Sequence, residues 1–295
     1  MPGAELRVLY RGDLASCNYS CHYCPFAKRN DSTDVTARDR DSLLRFVDWC
    51  ETTHFGLRIL FTPWGEALVR KHYRDAFLRL SHASNVIELG IQTNLSRDPA
   101  WLASANNDAV NLWCTYHPSQ ESRSRFLRRL EQLRQLRIRF SVGMVALRED
   151  LDEIRAMHLA LGQLDHGSGQ PIYLWLNAYD QRTPGYYSAQ DVAMLSAVDP
   201  HFPVNLDPAP SLGARCRAGL SAISVDARGD ARPCHFVQRP LGNLYDGSFE
   251  AQLSRSACPN ARCDCYIGYA LREDLPFEAS LTRAFAPESQ AIRAR

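Results

Sequence analysis

The sequence has almost no excess of charge of either sign and no long hydrophobic run. Its 34 lysines and arginines against 33 acidic residues give a net charge of +1, so nucleic-acid binding is not expected. No apolar stretch approaches the roughly 18 residues that a bilayer-crossing helix needs. The start, MPGAELRVLYRGDL, lacks the basic-then-apolar pattern of an export signal. We therefore predict a cytoplasmic protein that contacts neither nucleic acid nor membrane.

Cysteine, in contrast, is present in an informative number. The chain has ten cysteines, and in a protein without an export signal these are more typical of metal or cluster ligation than of disulfides. All except Cys50 and Cys114 fall into two groups, at residues 17–24 and 216–265. The sequence therefore predicts two metal-binding regions.

Short β-rich runs alternate with amphipathic helical stretches over the first 200 residues, which predicts parallel strands joined by crossover helices. Six such units are fewer than the eight of a closed barrel. We therefore predict an α/β fold built on an open, partial (β/α)6 barrel, with its site at the carboxyl ends of the strands. The predicted strands are LRVLYR (6–11), LRILF (57–61), VIELGIQ (86–92), VNLWCTY (110–116), IRFSVGMVAL (138–147) and PIYLWLN (171–177).

The pattern changes after Pro200. A proline-rich segment, HFPVNLDPAPSLG, is followed by a run that predicts a hairpin turning at Arg228-Gly229-Asp230. We therefore divide the chain into a core at 1–200, a small cysteine-rich extension at 201–275 and a tail at 276–295.

The first cysteine group, Cys17, Cys21 and Cys24, follows the first predicted strand in a C-x-x-x-C-x-x-C loop. A structural zinc or iron–sulfur site normally has four protein ligands, whereas three leave a coordination position open for a small molecule. The loop therefore predicts a [4Fe–4S] cluster with one open iron. A structural zinc knuckle is the alternative.

This loop resembles that of the radical S-adenosylmethionine (SAM) superfamily, in which C-x-x-x-C-x-aromatic-C follows strand one, and Tyr23 is the aromatic residue here. The resemblance extends over almost the whole chain. It implies that the open iron binds SAM and that a donor such as flavodoxin or ferredoxin reduces the cluster. Reduction would cleave SAM to methionine and a 5′-deoxyadenosyl radical, which takes a hydrogen atom from the substrate.

The resemblance also implies SAM contacts elsewhere. Residues 64–66, W-G-E, stand where the superfamily has a G-G-E motif that holds the SAM amino group, and residues 142–145, VGMV, resemble the segment that lies against adenine. Polar residues at strand ends would contact SAM or the substrate, although each can also be a helix cap or turn residue. For the glutamate of W-G-E the alternative is a first-turn helix acid. The implied cofactor-binding residues are Tyr23, Gly65, Glu66, Gln92, Asn94, Thr115, His117, Ser141, Gly143, Met144 and Asn177.

Cys114 lies near the carboxyl end of the fourth predicted strand. A thiol that faced the barrel interior there could return a hydrogen atom to a substrate radical, which would make it catalytic. A thiol facing the other way would only pack in the core, and core packing is the favoured interpretation.

The second cysteine group comprises five candidates for a closed four-ligand site. The hairpin brings Cys216 and Cys234 together, and a later C-x4-C-x-C run, Cys258, Cys263 and Cys265, can supply two more thiolates. The G-x4-C, P-C-H-F and L-G-N-L segments resemble the SPASM and twitch extensions of radical SAM enzymes, of which the shorter twitch form fits better. This implies one auxiliary [4Fe–4S] cluster, with zinc as the alternative.

The sequence thus predicts a radical SAM enzyme that acts on a small molecule or a peptide, by oxidation, cross-linking, epimerisation or protein maturation. The first strand begins near residue 6, which leaves no room for an amino-terminal peptide-recognition domain and favours a small substrate or a separately delivered peptide. The chain also resembles a small group of stand-alone bacterial radical SAM proteins, which implies no substrate. The alternative from another class is a non-catalytic iron–sulfur or zinc protein, acting as a redox sensor or interaction module.

Overall fold

The structure is a computed structural model that describes residues 4–26, 30–164, 172–263 and 266–275. Within these ranges nine strands form one sheet. They are β1 (Glu5–Arg11), β2 (Gly56–Phe61), β3 (Val86–Thr93), β4 (Val110–Thr115), β5 (Arg139–Ala146), β6 (Leu174–Ala178), β7 (Ala222–Asp226), β8 (Asp230–Arg232) and β9 (Gly242–Asn243). Their order across the sheet is β6-β5-β4-β3-β2-β1-β7-β8-β9.

Helices follow most of the first six strands. The helix after β1 begins at the N-cap Ser32, whose side chain accepts a hydrogen bond from the Val35 backbone N–H. The helices are α1 (Thr33–Thr52), α2 (Lys71–Ser81), α3 (Arg123–Gln135), α4 (Leu151–Gly162), α5 (Ala189–Val198), α6 (Phe202–Leu206) and α7 (Tyr266–Tyr269). None of the helices in the described ranges is both long and apolar enough to cross a membrane.

The first six strands are parallel, and each pairs with its neighbour in sequence. Their bounds lie within a few residues of the predicted runs. The sheet is open rather than closed, since β6 and β9 are its edges. The predicted α/β fold with an open partial barrel is therefore confirmed.

The carboxyl-terminal extension continues the same sheet. Strand β7 pairs in parallel with β1, and β8 and β9 then add antiparallel. The predicted hairpin turn lies between β7 and β8, where Gly229 has a φ of 84° that favours glycine. Because the sheet crosses residue 200, the proposed division into core and extension does not coincide with a break in hydrogen bonding. The predicted tail at 276–295 lies outside the described residues.

Alternate residues of each strand face opposite sides of the sheet. One side packs against the helices in the main core, to which β1 contributes Val8 and Tyr10. The other side is the concave interior, where Leu9, Trp113 and Trp175 form a smaller apolar cluster with residues of the extension. Apolar side chains therefore fill this level of the interior in the described part of the chain.

The two ends of the interior differ in composition. At the amino-terminal end of the strands, Arg58 forms ion pairs with Glu5 and Glu88. At the carboxyl end the side chains are polar and line cavities, among them Gln92 and Asn177. This placement agrees with the general rule that ligands bind at the carboxyl ends of parallel strands.

Candidate functional site

The loop after β1 brings its three cysteines to one cavity. Cys17, Cys21 and Cys24 all line a cavity of about 480 Å³ at the carboxyl edge of the sheet. The Cys24 backbone N–H donates to the Cys21 carbonyl at 3.2 Å, which closes a turn between two of the thiols. Among the described cysteines none forms a disulfide. One loop thus places three cysteines around the same cavity.

Buried polar groups hold the start of this loop against the helices. The Asp39 carboxylate, on α1, accepts from the Leu14 backbone N–H at 3.1 Å and the Tyr73 hydroxyl at 3.0 Å, and it lies 3.1 Å from His72 Nε2. A side chain at Gly12 would come within 2.7 Å of the same carboxylate. Asp39 therefore fixes the backbone that leads into the cysteines.

A second support lies nearer to Cys17. The Ser16 hydroxyl donates to Asp31 at 2.5 Å and accepts from the Arg70 guanidinium at 2.8 Å. Sequence reasoning predicted neither the Asp39 contacts nor the hydrogen bonds of Ser16. A signal existed for Asp39, because it stands on the apolar face of α1, four residues before Leu43.

The loop after β2 packs directly on the cysteine loop. A Cβ atom at Gly65 would lie 1.8 Å from the Ser16 carbonyl oxygen, so no other residue fits there without a shift of backbone. The next residue, Glu66, donates its backbone N–H to the same carbonyl at 3.2 Å. The glycine of W-G-E is therefore required for close approach of two loops.

The Glu66 carboxylate is buried and already engaged. It accepts hydrogen bonds from the backbone N–H groups of Leu68 and Asn94, at 3.0 and 2.5 Å, and from the Thr93 hydroxyl at 2.9 Å. Burial raises the pKa of Glu66 to about 7, although these hydrogen bonds act in the opposite direction. Glu66 is the N-cap of a short 3-10 helix over Ala67–Val69, and not the first-turn acid of the alternative interpretation. Its contact with a SAM amino group stays a prediction.

Polar residues at the ends of β3, β4 and β6 complete the cavity. The predicted residues Gln92, Asn94, Thr115 and Asn177 all line it. The Asn94 amide nitrogen lies 3.1 Å from Asn18 Oδ1 and 3.7 Å from Cys17 Sγ. These four side chains offer amide and hydroxyl groups that can bind a carboxylate, an amine or a ribose.

His117 lies at the cavity wall beside the cysteine loop. Its Nδ1 is 3.5 Å from Cys21 Sγ and 2.7 Å from the Tyr23 hydroxyl. Burial lowers the pKa of His117 to about 4, so the imidazole is neutral and its Nδ1 can accept from Tyr23. Tyr23 itself packs behind the loop in a small cluster with Cys21 and Leu147. These two residues hold Cys21 in place.

Five of the residues predicted for this site do not line the cavity: Tyr23, which packs behind the loop, and four residues of β4 and β5. Cys114 and Met144 are fully buried in the main core on the helix side of the sheet, so the interior-facing orientation considered for Cys114 is wrong. Ser141 is buried, and its hydroxyl has no hydrogen-bond partner in the described part of the chain. A Cβ at Gly143 would lie 2.1 Å from the Trp175 ring, which covers this glycine.

The physical reason is that both faces of a parallel strand are covered here, so the sequence does not show which face is interior. Trp175, which sequence reasoning missed, lines the cavity instead and covers Gly143, part of the segment that was predicted to contact adenine.

The second cysteine group also surrounds one cavity. Cys216, Cys234, Cys258 and Cys263 line a space of about 410 Å³, whereas Cys265 lies outside the described residues. Backbone hydrogen bonds hold the segments around it, from Cys258 N–H to the Ala214 carbonyl and from Cys263 N–H to the Ala209 carbonyl, each at 3.1 Å. The described residues contain no group of three or more His, Cys, Asp or Glu side chains converging as they would on a single metal ion.

A third cavity, of about 630 Å³, adjoins the first. Four residues line both: Phe26, Trp64, Gln92 and Asn177. We call the cavity that Cys17, Cys21 and Cys24 line the cysteine cavity, and this third cavity the charged cavity. Ionisable side chains of both signs line the charged cavity: Arg11, Asp13, Asp180, Asp226, Arg228, Asp230, Arg232 and His235.

The charged cavity was not predicted from the sequence, because its walls come from the end of β1, the β7–β8 hairpin and the segment after β6. One element of its floor is ordered by hydrogen bonds, since His235 Nδ1 lies 2.5 Å from the Ser224 hydroxyl. Burial, with the neighbouring Arg11 charge, lowers the pKa of His235 to about 3. The imidazole is therefore neutral at physiological pH.

The chain shares its open partial-barrel fold with solved structures of proteins that contain bound AdoMet. In particular, it is similar to native anSMEcpe with bound AdoMet and the Kp18Cys peptide, at a TM-score of 0.56 and 13% identity over 85% of this chain and 81% of that one. Native anSMEcpe with bound AdoMet gives a TM-score of 0.54 at 15% identity, covering 84% and 83%.

A structure of BtrN in complex with AdoMet and 2-DOIA has a TM-score of 0.43 at 14% identity, covering 85% of this chain and 83% of that one. No protein-family model matches the sequence. No curated protein sequence matches it either. At these identities the likeness establishes the fold alone.

Proposed function

We propose that this chain is a radical SAM enzyme that cleaves SAM reductively and abstracts a hydrogen atom from a polar small-molecule or peptide substrate. The observation that carries this proposal is the position of three thiols from one loop in a polar cavity that adjoins a second, charged cavity. The cysteine cavity would hold SAM, and the charged cavity would hold the substrate. The fold supports the proposal because the anSMEcpe structures that it matches contain bound AdoMet.

Cys17, Cys21 and Cys24 would hold a [4Fe–4S] cluster. Three thiols from one loop are a ligand set that fits such a cluster. In addition, two N–H groups contact Cys17 Sγ, that of the Tyr19 backbone at 3.4 Å and that of the Asn94 side chain at 3.7 Å. Such N–H contacts to sulfur stabilise a ligating thiolate. When bound, the cluster and SAM supply a 5′-deoxyadenosyl radical, which can remove a hydrogen atom from an unactivated C–H bond.

The remaining residues of the cysteine cavity would bind and orient SAM. Gln92, Thr115 and Asn177 offer side chains at the ends of three strands. Glu66 would act mainly by holding Thr93 and the Asn94 backbone, because its carboxylate already accepts three hydrogen bonds from the protein. Its remaining acceptor capacity would serve the SAM amino group.

The charged cavity favours a substrate with ionised or strongly polar groups. Arginine and aspartate side chains line the same space, which suits a molecule that offers both hydrogen-bond donors and acceptors. A small hydroxylated or amino-bearing compound and a polar peptide side chain both meet this description.

The second cysteine group would hold an auxiliary [4Fe–4S] cluster on Cys216, Cys234, Cys258 and Cys263. Four thiolates also suit a zinc ion, with Zn–S distances of about 2.3 Å. The four thiols here share the lining of a space of about 410 Å³ with other residues, which has room for the cluster, and iron and zinc analysis of the reconstituted chain distinguishes the two.

This auxiliary site lies next to the charged cavity. Phe236 lines both spaces, and Cys234 is followed directly by His235 of the charged cavity. A cluster held there would supply a one-electron acceptor beside the charged cavity, so the placement favours an oxidation of the substrate.

The test is SAM cleavage by the full chain, reconstituted anaerobically with iron and sulfide and reduced with dithionite or with flavodoxin and its reductase. We expect about eight irons per chain, a change in the electron paramagnetic resonance (EPR) spectrum on addition of SAM, and 5′-deoxyadenosine by mass spectrometry. If the EPR spectrum of the reduced, cluster-loaded protein does not change on addition of SAM and no 5′-deoxyadenosine forms, the chain is instead a non-catalytic metal protein.

A further inference from the structure

Trp64 lies at the boundary between the cysteine cavity and the charged cavity and lines both. Its side chain and that of Phe26 remain 36% and 45% exposed, although their rings are only 4.5 Å apart between centroids. Two exposed aromatic rings between two polar cavities form an apolar surface that a ligand can cover. The superfamily motif that W-G-E resembles has glycine at this position, so the indole is a feature of this chain.

The indole is held in place from three directions. The following residue, Gly65, is fixed against the Ser16 carbonyl. The guanidinium of Arg11 lies 3.8 Å above the ring centroid and is itself anchored by a 2.9 Å hydrogen bond from Nε to the Thr62 carbonyl. Phe26 covers the ring from the cysteine loop. A cation–π contact with an anchored arginine costs little further ordering, so the wall is rigid.

We propose that Trp64 is a specificity-determining residue, whose indole is the wall that the substrate packs against and that limits access from the charged cavity to bound SAM. This inference rests on the function proposed above. A substrate seated on the indole would be fixed relative to the cysteine cavity, and in its absence the wall shields SAM from solvent and small reductants. Exclusion of solvent is a general means by which enzymes suppress side reactions of reactive species.

The experiment compares Trp64→Gly and Trp64→Phe with the unaltered chain, and Trp101→Phe serves as the matched control. Trp101 lies at the side of the main core, 6.0 Å from the Phe77 ring, and does not line either cavity. The rate of 5′-deoxyadenosine formation from SAM without substrate is measured under dithionite in D2O containing dithiothreitol, whose exchanged S–D bond can donate a deuterium atom to the 5′-deoxyadenosyl radical, together with deuterium incorporation into that product.

We expect Trp64→Gly to raise uncoupled formation about threefold or more, with more deuterium in the product, whereas Trp64→Phe gives a smaller increase and Trp101→Phe none. A second readout does not depend on turnover. Pulsed EPR of the reduced, SAM-bound cluster in D2O should show deeper modulation from exchangeable deuterons in Trp64→Gly than in the unaltered chain, because water enters the boundary.

Equal uncoupled rates and equal deuteron modulation in Trp64→Gly and the unaltered chain would overturn the inference while leaving the proposed function intact. Absence of any SAM cleavage in the unaltered chain would contradict the proposed function instead. If Trp64→Gly does not fold, Phe26→Ala opens the same wall from the cysteine loop and must give the same increase, and no increase there would also overturn the inference.

Discussion

The two cysteine groups are built in opposite ways. Three thiols of the first group come from eight consecutive residues, 17–24, whereas the four described thiols of the second are drawn from positions between 216 and 263. The first is held by buried side chains such as Asp39, and the second by backbone hydrogen bonds between distant segments. A short loop can present three ligands on one side only, which leaves an open edge. Segments that wrap around a space can close it.

The largest expected effect separates the roles of the two groups. Cys21→Ala should reduce SAM cleavage below detection, at least about 100-fold, because a missing ligand of the open-iron cluster removes the SAM site. Cys234→Ala should lose about four irons per chain yet retain SAM-dependent cleavage. Iron analysis and 5′-deoxyadenosine quantification measure both, and Cys50→Ala, a core thiol on α1, is the control. Equal loss of cleavage in two well-folded variants would contradict the comparison.

The buried Asp39 carboxylate, which holds the loop of the first group, should contribute strongly to the free energy of unfolding. Asp39→Asn should lower the free energy of unfolding by about 3 kcal/mol, because it weakens hydrogen bonds to a buried carboxylate. Urea unfolding followed by circular dichroism gives the value, with the exposed Asp41→Asn on the same helix as the control. Similar unfolding curves for the two variants would show that Asp39 does not hold the loop.

The close contact of the two loops provides a third test. Gly65→Ala should destabilise by about 2 kcal/mol, since its Cβ would meet a backbone carbonyl that cannot turn aside. Gly162→Ala at the end of α4, where nothing lies within 4 Å, should be neutral or stabilising by about 0.5 kcal/mol. Thermal unfolding of both variants measures the difference. A Gly65→Ala variant as stable as Gly162→Ala would disprove the close contact.

A comparable effect is expected for the pH dependence contributed by Glu66. Its pKa in the folded chain, about 7, lies above the ordinary value of 4.5, so the folded state binds more protons than the unfolded state between these values. Stability from this group is therefore greatest below pH 4.5, falls as pH rises towards 7 and is constant above.

The free energy of unfolding from urea titrations at pH 5.5 and pH 8 should thus differ more in the unaltered chain than in Glu66→Gln, by about 2 kcal/mol. Glu66→Gln also lowers stability at every pH, because it changes the acceptor for the Asn94 N–H. The informative quantity is therefore the change in unfolding free energy with pH in each protein, not its value at one pH. Parallel pH profiles in the two proteins would mean that Glu66 is ionised throughout.

Features that depend on local sequence pattern could be predicted from the sequence. The six strands follow from alternating apolar runs, the first cysteine group is contiguous, and the turn at Gly229 is signalled by its residue type. Asp39 could also have been found, as an acid on an apolar helix face.

Other features depend on which face of a strand is interior. The sequence does not distinguish Trp113 from Cys114 in this respect, because both are buried residues on a strand covered on both sides. The charged cavity was equally out of reach, since segments more than 150 residues apart meet there.

One feature of the sheet bears on how this chain can be shortened or divided. Strand β7 pairs with β1 in the interior of the nine-stranded sheet. A fragment that ended before residue 222 would leave the amino-terminal strand with a bare row of backbone donors and acceptors, and such an edge invites pairing with other chains and aggregation. The two cysteine groups therefore depend on one continuous sheet, and a truncation that removes the second group also exposes the edge of β1 beside the first.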